Sequence, residues 1–281
     1  MEDPILVAAF EGWTDAGNAA SSAATYLAEK WGAEEFALVN GDEFYDFTTL
    51  RPQVRLDANG SREIVWTQNR FLASSRSQAG GQDVVFLIGS EPHLRWRTFS
   101  RCVTEVAASL KVQFMVTLGA MLTDLPHTRT SLVRGTTNDQ GLIDRFRLVR
   151  SQYQGPTGIV GVLQDAFHTI DVPVVSFMAQ VPHYVSGTPS PKATLALVER
   201  VRDLLAIDVE TAQLQLASAA YERQVSEVVA SDEDISRYVH ELERRFDEND
   251  DNLTGLSDLP SGDALAAELE RFLREQGGSS S

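Results

Sequence analysis

The sequence predicts an α/β fold: a three-layer α/β/α sandwich on a mixed, mostly parallel sheet, followed by an acidic α-helical extension. Three observations carry this. Short, nearly unbroken apolar runs such as Pro4–Phe10 and Val84–Ile88 are each followed by a segment of helical period, the alternation that builds parallel crossover units. Strand-like runs stop after Ser190. Charge divides at the same place: residues 191–281 carry 20 acidic against 9 basic side chains, whereas residues 1–190 carry 20 against 15. We therefore expect a core domain at 1–188 and an acidic helical region with a flexible tail at 189–281.

Pro4–Phe10 reads as a strand covered on both faces, and Gly12 and Gly17 bound the turn after it. A helix follows from about Asp15 to Trp31, with the small residues Ala16, Ala20, Ala23 and Leu27 on one stripe. Glu35–Asn40 is a second strand. Gln53–Asp57, Glu63–Thr67 and Phe71–Ser74 are shorter and more polar, as expected of an antiparallel edge. Asp83–Gly89 feeds a helix whose Phe99, Val103, Val106 and Leu110 recur at helical spacing. Gln113–Leu118 is a strand ending at Gly119, and a loop through His127 leads to a strand near Leu132–Thr136 and a short helix from Asp139. A helix over Gly158–Ile170, with Val160, Leu163, Phe167 and Ile170 on one face, precedes the strand Pro173–Gln180.

Beyond that strand, Ser190 before Pro191 marks a helix start, because serine caps free amides and proline needs no N–H at the first position. Leu197, Val201 and Leu204 line its face. Two more helices fit Val209–Ala230, with a Leu214, Tyr221, Val225 and Val228 stripe, and Asp232–Phe246, capped by Ser231. The seam Ile235, Val239, Leu242 and Phe246 must pack on the core or on another subunit. An acidic loop over Glu248–Asp258 and a last helix over Gly262–Glu275 complete the expected order.

Composition excludes several classes. A formal charge of −16 repels phosphodiester backbones, so nucleic acid is not an expected partner. The single cysteine, Cys102, cannot form an intrachain disulfide. No apolar run approaches the ~20 residues that span a bilayer, and the start Met1-Glu2-Asp3-Pro4 lacks a basic leader. A soluble cytoplasmic protein with no membrane contact is the expectation.

Catalytic signatures are sparse. Gly12-Trp13-Thr14-Asp15-Ala16-Gly17 has the placement of a phosphate loop, but Asn18 and Ala19 stand where lysine and serine or threonine are needed, so it reads as a turn in which Thr14 or Asp15 caps a helix. No serine nucleophile elbow, Cys-x-x-Cys pair or His-Glu-x-x-His zinc helix occurs, and neither a metal nor a cofactor is expected. Cys102 lies mid-helix beside a buried stripe and reads as packed. Asp165, His168 and Asp171 read as a solvated row. The better constellation lies after the strands, where open α/β sheets bind ligands. Asp15, Glu91, Asp124, His127 and Arg129 follow three expected strand ends, and could form one cleft for acid/base work or serve as turn caps and ion pairs.

Several segments resemble a known family. They are Phe10 to Gly17, Leu118 to Arg129, Ser151 to Leu163 (SQYQGPTGIVGVL), Val181-Pro182-His183-Tyr184-Val185 and Leu259-Pro260-Ser261-Gly262-Asp263. Together they resemble the actinobacterial branch of the proteasome assembly chaperone 2 family. The resemblance implies a phosphorylase/hydrolase-like α/β/α fold with added C-terminal helices, homo-oligomers with trimers among the options, and no established reaction. It also implies proteasome subunits as partners, which some relatives engage through a C-terminal hydrophobic-tyrosine-x tail. The closing residues Gly277-Gly278-Ser279-Ser280-Ser281 lack that pattern. The expected function is a non-catalytic assembly scaffold. The alternative is a small-molecule binder or hydrolase/phosphorylase-like enzyme using the strand-end cleft.

Overall fold

The computed structural model describes residues 1–250 apart from 2, 76–80 and 147. The helix expected over 262–275, the motif at 259–263 and the loop beyond 250 lie outside the described residues. Seven strands form the central sheet: β1 (Ile5–Glu11), β2 (Glu34–Val39), β5 (Asn69–Ser74), β6 (Val84–Ser90), β7 (Met115–Thr123), β8 (Val133–Thr137) and β9 (Val174–Pro182). Two further strands, β3 (Gln53–Leu56) and β4 (Arg62–Val65), pair only with each other. The helices are α1 (Ala19–Lys30), α2 (Trp96–Leu110), α3 (Gln140–Phe146), α4 (Ile159–His168), α5 (Pro191–Leu205), α6 (Ala212–Ala230) and α7 (Glu233–Asp250).

Strand order is β2-β5-β6-β1-β7-β9-β8. The inner four, β6, β1, β7 and β9, run parallel, while β5 and β8 pair antiparallel with β6 and β9. Successive side chains of a strand point to opposite faces, and β1 fills two cores by this rule. Ile5, Val7 and Ala9 pack with α1 and α5, whereas Leu6, Ala8 and Phe10 pack with α2 and α4. Each such side chain, once fully buried, contributes roughly 1.5–3 kcal/mol if it is the size of leucine or phenylalanine. The alanine-rich face of α1 (Ala19, Ala20, Ala23, Ala24 and Ala28) lets it lie close to both sheet and α5. Leu197, Val201 and Leu204 of α5 are buried in that same layer, so the helix that follows residue 188 closes one face of the sandwich. No helix among the described residues is long and apolar enough to cross a membrane.

Several expectations need correction. Of the three strands expected at one antiparallel edge, only β5 joins the main sheet, where it lies inside β2; the other two leave as a separate hairpin. β7 does not stop at Gly119, because its pairing with β9 continues to Thr123 opposite Pro182. The first helix begins at Ala19 rather than Asp15, since Gly17 and Asn18 adopt left-handed backbone angles with φ of 58° and 50°. On α6 the buried position is Val229, and Val228 faces solvent. Ser231 ends α6, its hydroxyl donating to the Val228 carbonyl, and Asp232 caps α7 by accepting from the amides of Asp234 and Ile235. α7 runs to Asp250, so the first part of the expected acidic loop is helical. Cys102 is half-buried rather than fully packed.

Gly89 in β6 explains a close approach of strands. A Cβ there would lie 2.0 Å from Asn69 Oδ1 and 2.7 Å from the Asn69 Cα on β5. Backbone cannot yield as a flexible side chain can. Gly89→Ala is expected to lower stability by about 1–3 kcal/mol, the usual range for overpacking, read as a drop in the urea midpoint at unchanged slope.

Candidate functional site

At the centre of the sheet β1 lies between β6 and β7, and the helices that follow β1 and β6 pack on opposite faces. This is the switch point at which open α/β folds form a crevice. Two carboxylates from the expected constellation stand there, and both satisfy helix amides. Asp15 is buried; its Oδ1 accepts from the amides of Ala20 at 2.7 Å and Ser21 at 3.2 Å, and its Oδ2 accepts from the Ser21 hydroxyl at 2.5 Å. Burial, the largest influence, raises its pKa, and the Ser21 hydroxyl and the two amides oppose that rise. Glu91 accepts from the Ile159 amide at 2.7 Å, capping α4, and from the Trp13 amide at 3.4 Å. The nearby Arg95 pairs instead with Glu43, at 2.6 Å. Trp13 above it is 62% exposed.

The other three candidates follow β7 and meet a different set of partners. Arg129 makes a two-pronged bond to Asp247 of α7, Nε to Oδ1 at 2.8 Å and Nη2 to Oδ2 at 2.6 Å, and lies 3.6 Å from Glu243. Asp124 is exposed and sits 3.3 Å from His183 Nδ1. His127 is 2% exposed and lies at the middle of a network. Its backbone amide donates to the Tyr184 hydroxyl oxygen at 2.7 Å, and its carbonyl accepts from Lys192 Nζ at 2.6 Å. Its ring nitrogens meet Tyr184 at 2.8 Å (Nδ1) and the Ser226 hydroxyl at 3.0 Å (Nε2). Lys192 also pairs with Glu222 of α6.

The tautomer of His127 follows from its partners. The Ser226 hydroxyl donates to the Glu222 carbonyl at 2.8 Å, so it accepts from Nε2–H. Nδ1 is then the acceptor for the Tyr184 hydroxyl, whose oxygen already takes the His127 amide. A proton on Nδ1 would leave the Tyr184 hydrogen without its acceptor. Burial and the Lys192 cation lower the His127 pKa, in keeping with a neutral ring. Burial likewise pushes the Tyr184 phenol up to about 12.

The five expected cleft residues thus fall into two groups, one at β1 and β6 and one beneath the C-terminal helices. Of the expected seam, Val239 and Leu242 are buried, Phe246 is half-buried and Ile235 is exposed. Val239 packs with Tyr221, Val225 and Val229 of α6 and with Tyr184 and Val185, on the chain's own body. Rings of His127, His183, Tyr184 and Tyr238 meet edge to face, with centroids 5.6–6.3 Å apart. Lys192, Ser226, Glu222 and Tyr238 were not expected at this site. Each lies on a helix whose partner surface is remote in sequence, and the pair His183-Tyr184 stood only as part of a family-like segment.

A pH dependence follows. A histidine whose folded pKa lies below its unfolded value near 6.5 contributes its stability in full above that value and loses it as pH falls toward the folded one. Wild-type melting temperature is expected to fall as pH drops from 7 to 5. His127→Phe should lower stability at pH 7.5 by about 1–3 kcal/mol, since it leaves Tyr184 and Ser226 without ring partners, and should show a shallower acid slope. Equal slopes in both proteins would remove His127 as the titrating group.

A sequence profile of the PAC2 family matches residues 9–229. No curated protein matches at comparable stringency. Among solved structures, a PAC2 family protein from Streptomyces avermitilis is 42% identical, covering 84% of this chain and 100% of its own, with a TM-score of 0.78. A proteasome-assembly chaperone homologue from Mycobacterium tuberculosis is 41% identical over 84% of this chain and 99% of its own, with a TM-score of 0.75. An archaeal proteasome activator from Pyrococcus furiosus shares the fold at 16% identity, with a TM-score of 0.64 over 80% of this chain and 93% of its own. On the extent of that profile match and the identity to the first two structures, the chain belongs to the PAC2 family.

Proposed function

We propose that this protein is a non-catalytic, homo-oligomeric interaction protein that assists assembly of a larger complex, with proteasome subunits as the first candidate partners. One observation carries the reading: His127 and Arg129 after β7, where this fold class would place reacting side chains, bond α6 and α7 instead. The similarity to a proteasome-assembly chaperone homologue at 41% identity supports the choice of partner. The test is affinity capture of the tagged full-length protein from its native host under gentle conditions. Proteasome subunits or their precursors should co-purify, and repeated recovery of this chain alone would overturn the proposal.

A second reading is favoured by Trp13, exposed over the switch point beside Glu91. It places a small ligand in that crevice, stacked on the indole and oriented by Glu91. A ligand specific for the folded state raises its melting temperature. Nucleosides, phosphates and amino-acid derivatives should then include one that shifts wild type and not Trp13→Ala, and a flat screen removes this reading.

A further inference from the structure

The two C-terminal helices are fastened to the body unevenly along their length. The start of α6 is tied to α1, where the Tyr26 hydroxyl donates to the Glu210 carbonyl at 2.8 Å and Lys30 Nζ reaches Gln213 Oε1 at 3.4 Å, and Leu214 packs against a main core. From Tyr221 onward the apolar attachment is a small cluster apart from the two large cores: Tyr221, Val225, Val229 and Val239 with Tyr184 and Val185. Regions with few buried apolar contacts are the first to open. The ion pairs Lys192–Glu222 and Arg129–Asp247 also cross to this part, and each has a carboxylate open to solvent, at 41% and 56% exposure, where water screens it.

Tyr184 joins that cluster to the loop after β7, and the His127 ring fixes its hydroxyl. Among the described residues the hydroxyl hydrogen has one acceptor, Nδ1 of His127 at 2.8 Å, and the oxygen already takes the His127 amide. A proton on Nδ1 turns this acceptor into a second donor aimed at the same oxygen, on a ring that is 2% exposed. The Tyr184 hydrogen is then unpaired beside a buried cation. Lys192 of α5 opposes a charge on the ring, whereas Glu222 of α6 and Glu243 of α7 favour one. On the same loop Arg129 faces Glu243 and Asp247, and around Tyr184 lie Tyr221, Tyr238 and the His183–Asp124 pair. Burial outweighs the two carboxylates, so the docked ring is neutral.

We propose that His127 is a protonation-sensitive latch: a proton on Nδ1 displaces Tyr184, and α7 together with α6 from Tyr221 onward leaves the sandwich while the sheet stays folded. The start of α6, held by α1, is the fixed end about which this part opens. Release bares Val225, Val229, Val239 and the Tyr184 ring, so the step that frees the helices also presents an apolar surface.

Hydrogen exchange of the full chain, read by mass spectrometry at pH 7.5 and 5.5 with labelling times scaled for the intrinsic pH dependence of amide exchange, tests this. Peptides from 221–250 should lose protection about tenfold or more at pH 5.5, while those of β1, β6 and β7 keep theirs. Loss shared equally by these helices and the sheet, or shown by neither, overturns the latch. His127→Gln offers Tyr184 an acceptor and Ser226 a donor but takes up no proton, so its helices should be equally protected at both pH values. A loss as large as in wild type overturns the role of His127. His183→Gln tests the neighbouring imidazole and should open as wild type does, and a variant that stays closed at pH 5.5 overturns the assignment in favour of His183. In wild type the carbon-bound ring proton of His127, followed by NMR, should titrate in step with the opening. A ring that stays neutral while 221–250 opens overturns the proposal whatever the variants do.

Discussion

The fold depends on meeting the hydrogen-bonding demands of the loop after β7. That loop brings a nearly fully buried imidazole and a backbone carbonyl against three helices, and an unpaired buried polar group costs about 1–3 kcal/mol. His127 meets the demand from four directions: its amide and Nδ1 reach Tyr184, its Nε2 reaches Ser226, and its carbonyl reaches Lys192. Every partner belongs to the chain after β9 begins. The C-terminal helices are therefore part of what makes this loop stable, and the loop is the anchor that gives α6 and α7 a fixed position on the sandwich.

The same economy governs the loop after β1. A carboxylate at a helix start satisfies amides that have no partner inside the helix and lies at the positive end of its dipole. Asp15 does this for α1, and Glu91 reaches across from β6 to do it for α4. Glu91 also holds Trp13, so a single side chain ties together the ends of β1, β6 and α4. Residues that looked available for chemistry are thereby committed to closing the sandwich, and the exposed indole is what the switch point presents outward.

Much of this was legible in the sequence. The unbroken apolar runs of β1 and β6 gave buried parallel strands because such strands are covered on both faces, and Ser190-Pro191 gave the start of α5 with the serine hydroxyl accepting from Ala193. Asp15 as a cap was also readable, although Gly17 and Asn18 moved the helix start by imposing left-handed turns that periodicity does not register. The hairpin was less accessible: alternation identifies two short strands but says nothing of whether they join the sheet or leave it. The His127 network was out of reach for a related reason. Its members are 57 to 99 residues from His127 in sequence, and no local pattern records which helix face will cover a given loop.

The charge asymmetry takes on a physical meaning once the helices are placed. Two cations from the body, Lys192 and Arg129, engage Glu222, Glu243 and Asp247, while Arg244 and Arg245 serve Glu241 and Glu248 within α7. The pairs within α7 are exposed, and such pairs contribute ~0–1 kcal/mol each. The appendage is thus held chiefly by buried contacts, those of Val239, Leu242 and the Tyr184 ring, and by the His127 network. Among the described residues Glu227, Asp232, Glu233 and Asp234 are exposed as well, where they add little to docking and instead contribute to the field at the surface.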